Sequence, residues 1–204
     1  MSSISKNIFI GFAIAGGVFI VGCIIFALMI FSAFGGFDKS YSIDELKEEY
    51  LVNEKEIDKL IQYYYSIKPT GKIVEIEFKD DTVLERLRIA PDDATGKIYQ
   101  QWDVNVENLT KPELKKDLGW SKEEIKMLKE KLDQADCISI EDGEPVKVGF
   151  KRSGLGMLSF NVFQKKETDR SDFNDGCQYI LVNNKLALEY GGGAVGPQCF
   201  PHKQ

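Results

Sequence analysis

The residues best suited to chemistry lie in the C-terminal half. Cys137, Cys177 and Cys199 stand in the polar part of the chain, and the one histidine, His202, follows Cys199 by three positions. Three thiolates and an imidazole would make a Cys₃His zinc set. The spacing supports it poorly, because Cys199 and His202 are the only close pair and there is no C-x-x-C. The same pair could supply a thiolate nucleophile and its base. A disulfide is the simpler use of two thiols in an oxidising compartment. Cys177 and Cys199 flank the last predicted strand pair, so a bond between them would tie the Gly-rich tail to the sheet. Cys137 would then be a buried free thiol. The disulfide is the expectation, with metal (Cys137, Cys177, Cys199, His202) and thiol catalysis as weaker alternatives, and no cofactor is expected.

Gly191, Gly192, Gly193 and Gly196 satisfy G-x-G-x-x-G after a predicted strand. A dinucleotide site needs a helix and a second strand to follow, and eight residues cannot hold both. A P-loop lacks its Gly-Lys-Ser/Thr. What survives is a weak candidate for a backbone nest around a small anion or carboxylate, or a tight loop whose glycines allow close packing. Carboxylates cluster at Glu141-Asp142-Gly143-Glu144 and from Asp169 to Asp175. With Gly176 at loop position 6, an EF-hand would need Phe173 as its third-position ligand, which a phenyl ring cannot be. Asn108-Leu109-Thr110 is a glycosylation sequon, relevant only in a eukaryotic secretory route.

The chain's formal net charge is −6, and Lys6 is the one charged side chain of residues 1–37, so the remainder carries −7. An acidic domain without a Lys/Arg stripe excludes nucleic acid as the expected partner and argues against a polybasic grip on anionic lipid. A protein partner remains open.

Residues 8–34 carry no charge. About 20 apolar residues span a bilayer as a helix, so the expectation is a single-pass transmembrane helix of the signal-anchor type, with lipid as its partner. The division is a tail at 1–7, the helix at 8–34, a linker at 35–41 and a soluble α+β domain at 42–204. The soluble domain is expected outside the cytoplasm. Cleavage after the small-x-small triplet Ala33-Phe34-Gly35 is one alternative, although a signal peptide's apolar core is usually far shorter. Ile20-Val21-Gly22-Cys23 resembles the lipobox of bacterial lipoprotein signals, which implies lipidation at Cys23. The apolar run continuing from Ile24 to Phe31 departs from that pattern.

The elements that must position these residues follow from periodicity. Ser42 and Glu45 form a capping box, with a restart expected at Asn53 and Glu56. Ile57, Leu60, Ile61, Tyr64 and Ile67 then recur at helical spacing, up to Pro69-Thr70-Gly71. In 73–79, Val74, Ile76 and Phe78 alternate with Glu75 and Glu77, which places the two acids on a wet face. The return strand 83–89 offers Arg86 and Arg88 as cross-strand partners. Trp102, Val104 and Val106 predict a third strand. Capping boxes at Thr110/Glu113 and Ser121/Glu124 open two helices, the first ending at Gly119. Ile138 and Ile140 predict a strand, and 146–150 with 157–163 a hairpin around Gly154. Another hairpin joins 179–182 to 186–190 through Asn183-Asn184. Helix, strands, helices, strands is the order of an α+β domain with an antiparallel sheet and about three to four helices.

This layout resembles that of type IV pilins, with an apolar N-terminal helix, an α+β head and a C-terminal disulfide loop. The glutamate that pilins carry early in the apolar segment is absent from 8–34. The functional expectation is a membrane-tethered binding or assembly module. The alternatives are an envelope enzyme using carboxylates or a Cys/His pair, and an acidic immunity- or inhibitor-type protein.

Overall fold

The computed structural model describes residues 3–33, 39–93, 95–154, 156–191 and 196–200, with the side chains of the first helix described over 16–32. The chain divides into two units. One is built on helix α1, Ser3–Ala33. Over 16–32 its side chains are exposed, Val18, Phe19 and Phe26 among them at 65% or more. Among the described residues no helix is long and apolar enough to cross a membrane.

The second unit holds Tyr41–Arg152 and everything from Gly156. Helix α2, Ile43–Ile67, opens on the expected capping box: the Glu45 amide donates to Ser42 Oγ, and the Ser42 amide donates to Glu45 Oε2. No restart occurs at Asn53. Its side-chain amide donates to the Glu49 carbonyl, so Asn53 sits within one continuous helix. Leu46, Tyr50, Ile57, Leu60, Ile61 and Tyr64 form the buried face. Burying one such side chain is worth about 1.5–3 kcal/mol, so this stripe, and not intrinsic propensity, fixes the helix on the sheet. The Tyr64 hydroxyl donates to the Val74 carbonyl at 2.6 Å, and Tyr50 meets Phe160 edge-on at 5.4 Å.

Eight strands make one sheet, β1 Lys72–Phe78, β2 Val83–Pro91, β3 Tyr99–Asn105, β4 Ser139–Glu141, β5 Val146–Ser153, β6 Gly156–Val162, β7 Tyr179–Leu181 and β8 Leu186–Gly191. Their order is β3-β2-β1-β4-β5-β6-β8-β7, with antiparallel pairing. Between β3 and β4 run a 3₁₀ turn at Val106–Thr110, helix α3 at Pro112–Leu118 and helix α4 at Lys122–Gln134. Two expectations fail here. Val106 leaves the strand for the 3₁₀ turn, because Asn105 Oδ1 accepts from the Glu107 amide and bends the chain. Thr110 does not cap α3. Lys111 holds that position without a side-chain bond, Pro112 presets the first turn, and the Thr110 hydroxyl donates to Glu107 instead. Gly119 ends α3 in the left-handed region at φ 74°. Ser121 and Glu124 form their capping box as expected. The Trp120 indole donates to the Ile67 carbonyl at 2.7 Å, which ties the α3–α4 joint to the end of α2.

Successive strand residues point to opposite faces. Val74, Ile76, Ile140, Val148, Phe160 and Leu188 join the apolar stripes of α2 and α4 in one core. The other face carries polar side chains and is tightly filled at Gly149. A Cβ there would collide with Ser139 Oγ and Met157 Sδ. Gly149→Ala is therefore expected to destabilise the fold by about 1–3 kcal/mol through overpacking. A urea unfolding midpoint equal to that of the unchanged protein would show that the site relaxes freely.

Candidate functional site

Cys177 and Cys199 form a disulfide, as the strand-flanking positions predicted. The turn before Cys177 is preset by Asp175, whose Oδ1 accepts from the amides of Tyr179 at 2.8 Å and Cys177 at 2.9 Å. Those backbone bonds, Tyr179 first, hold its carboxyl below the usual range. Across the bond, the Phe200 amide donates to the Cys177 carbonyl at 2.9 Å, and the buried Phe200 ring packs on Tyr190 at 5.7 Å. Gly191, at φ 149°, admits the returning tail. A Cβ there would lie 3.1 Å from the Gly196 oxygen and the Gln198 nitrogen. The glycine thus serves close packing of the tail on β8. Gly196 takes φ 71°, while 192–195, the rest of the expected anion nest, lie outside the described residues. A bond closing a loop of sequence separation 22 stabilises by about 3 kcal/mol in the chain-entropy account.

This bond overturns the two thiol-based alternatives. Cys199 cannot be a nucleophile while joined to Cys177, and neither sulfur is free to bind zinc. Among the described residues no group of three His, Cys, Asp or Glu side chains could hold a metal ion. His202 lies outside the described residues. Cys137 is the expected buried free thiol. Burial, and next the Asp136 carboxylate, push it up to about 12, so it is not a thiolate at neutral pH. Cys23 is free and exposed within α1. Acids of both stretches are engaged in local structure. Asp142 pairs with Lys68 at 2.7 Å, Glu144 accepts from the amides of Gln164 and Lys165 and from the Thr168 hydroxyl, and Asp169 accepts from the Ser171 amide.

The largest departure from expectation is the polar face of the sheet. Glu75 and Glu77 are buried, not wet. Arg86 pairs with Glu75, Arg152 with Glu77 at 2.6 Å, and Lys147 with Glu189 at 2.6 Å, with Asn161 donating to the other Glu189 oxygen at 2.9 Å. The carboxylates keep 2–7% of their side-chain surface while the cations keep 25–31%. Cation stems thus lie over acids seated on the backbone. Arg86 also stacks over Trp102 at 5.5 Å, next to the β3 edge. Among the described residues Glu77 Oε2, Arg86 Nε and Ser159 Oγ have no hydrogen-bond partner. Burial lifts the Glu77 carboxyl above its ordinary range, opposed by Arg152. On β7, Tyr179 is pushed up to about 12 by burial and then by Glu189.

A cleft of about 810 Å³ opens on the helix side of the β7–β8 turn. Asp58 and Gln62 of α2 line one wall, Phe163 to Lys166 another, and Arg170 with Asn183 to Lys185 the rest. Lys185 bridges to Glu54 at 2.9 Å and Asp58 at 3.0 Å. Burial would lower its ammonium, but these two acids outweigh it and hold the charge. No sequence pattern marked this cleft, because its walls come from segments more than a hundred residues apart.

Comparison of the chain with protein-family models, curated proteins and solved structures finds no match.

Two outcomes are expected. In native chain, mass-tag alkylation should leave Cys137 unlabelled until denaturation, and Cys177 and Cys199 unlabelled until reduction. Labelling of either of the latter without reductant would refute the clasp. The raised Glu77 carboxyl makes the folded chain hold that proton more tightly than the unfolded chain. Its contribution to stability is therefore present below the unfolded value and lost as pH rises through the raised folded one. Glu77→Gln should remove this part of the pH dependence of the urea midpoint, and an unaltered profile would refute the assignment.

Proposed function

We propose that this chain is a membrane-tethered binding or assembly module, held by a single-pass helix at 8–34, with its α+β domain on an oxidising, extracytoplasmic side. The observation that carries the reading is the coincidence of a 31-residue helix at Ser3–Ala33 with a run, 8–34, that has no Asp, Glu, Lys, Arg or His. A helix satisfies its own backbone in lipid, and an uncharged run avoids the cost of burying ions there. The Cys177–Cys199 bond supports the choice of side, since structural disulfides persist where thiols are not kept reduced. Binding is preferred over catalysis because the candidate nucleophile is tied in a disulfide and the conspicuous carboxylates are engaged in turns and ion pairs.

Full-length chain is expected to stay in the pellet when membranes are washed with alkaline carbonate, and to release its domain when intact cells or spheroplasts are treated with protease. Recovery in the carbonate supernatant would refute the tether. Protection from protease in intact cells, with digestion after lysis, would place the domain on the other side.

A further inference from the structure

We infer that the cleft between α2 and the β7–β8 turn is a binding site for a small ligand carrying a phosphate group. This deepens the binding-module reading by naming the ligand's chemistry, and it needs the domain alone, not the tether.

The size fits: about 810 Å³ lies within the range of small-ligand pockets, about 300–1,000 Å³. The charge of the lining is the opposite of the chain's. Lys165, Lys166, Arg170 and Lys185 face one carboxylate, Asp58, on a chain of net charge −6. Of these cations only Lys185 is neutralised, by Asp58 and, behind the wall, Glu54. Among the described residues Lys165 and Lys166 make no ion pair. Arg170 is more telling. Its guanidinium donates to four neutral oxygens, the carbonyls of Thr168 at 2.6 Å, Lys165 and Asn184 at 3.0 Å, and Lys166 at 3.2 Å. Carbonyl oxygens satisfy its donors without cancelling its charge. It also lies 4.7 Å over the ring of buried Phe163, which gives the cleft an apolar floor.

The frame is rigid. Glu144 holds the loop from beneath through the amides of Gln164 and Lys165, and Arg170 staples that loop to Asn184. The two lysines without an ion pair therefore stand on backbone held by these bonds, and Gln62 and Asn184 line the same cleft. Lysines acting as point charges around amide donors suit phosphate oxygens, and charge-assisted bonds are the strong ones. The phosphate could belong to a soluble phosphoester or to a lipid headgroup.

The test is a calorimetric titration of inorganic pyrophosphate into the full-length chain in neutral detergent. Saturable binding is expected. In a Lys165→Ala/Lys166→Ala variant with an unchanged melting curve, affinity should fall by about tenfold or more, as two charge-assisted contacts are lost. Micelles doped with phosphatidylglycerol separate the sources: competition with pyrophosphate points to a headgroup, and unaltered affinity to a soluble phosphoester. Absence of saturable binding, or equal binding by the double variant, overturns the site. Neither result bears on the carbonate wash, so failure of the site and failure of the tether are read separately.

Discussion

A carboxylate taken out of water must be neutralised or protonated, and β1 places two of them, Glu75 and Glu77, in the middle of the sheet. One face of that sheet is apolar and is closed by α2 and α4. The other face is polar and covers its own acids. Arg86, Arg152 and Lys147 arrive from β2 and β5 and lie across acids on β1 and β8. This couples strands far apart in the sheet through side chains as well as through the backbone ladder. Removing one partner of such a pair would leave a buried charge, so breaking a pair costs more than the intact pair adds. Gly149 belongs to the same constraint, since the face has no room for a methyl group between Ser139 and Met157.

The C-terminal end of the sheet depends on that frame. β7 has three residues and would be a weak edge on its own. Asp175 presets the turn before it, the disulfide joins that turn to the tail, and Phe200 seals the core beside Tyr190. An aromatic series, Phe163 to Phe173 to Tyr179 with centroids 5.2 Å apart, connects this clasp to the floor of the cleft. Arg170 and Lys185 complete the cleft from the same stretch of chain, Lys185 reaching across to α2. The clasp and the cleft are thus two faces of one local structure.

Function follows from what is left unsatisfied. On the polar sheet face the buried acids Glu75, Glu77 and Glu189 are each paired with a cation, and among the described residues Glu77 Oε2 and Ser159 Oγ are left without a hydrogen-bond partner. In the cleft, positive charge is held in place by neutral carbonyls and remains available. The proposed site rests on that uncompensated charge, while the disulfide ties up two of the thiols that the sequence offered.

The sequence by itself determined the local elements and made Cys177 and Cys199 the expected disulfide pair. Ser42/Glu45 and Ser121/Glu124 announce two helices because a cap is made within four residues. Ile57, Leu60, Ile61 and Tyr64 announce a buried face because helical spacing is local geometry. Cys177 and Cys199 could be paired from the strands they flank. The uncharged run at 8–34 defines the proposed tether from composition alone. Where sequence reading failed, the deciding contact was distant or competing. Alternation of Glu75 and Glu77 with apolar residues gives two faces but not whether the second is wet. Arg152, 75 positions beyond Glu77, settles that. Asn53 and Thr110 carry cap-forming side chains, yet a helix already held by its apolar stripe and a proline at the first helical position overrode them. The cleft was invisible because Asp58, Arg170 and Lys185 meet only after the sheet brings α2 over the β7–β8 turn. Short-range hydrogen bonding and periodicity can be read from neighbouring residues, whereas burial of charge depends on which distant segments the chain brings together.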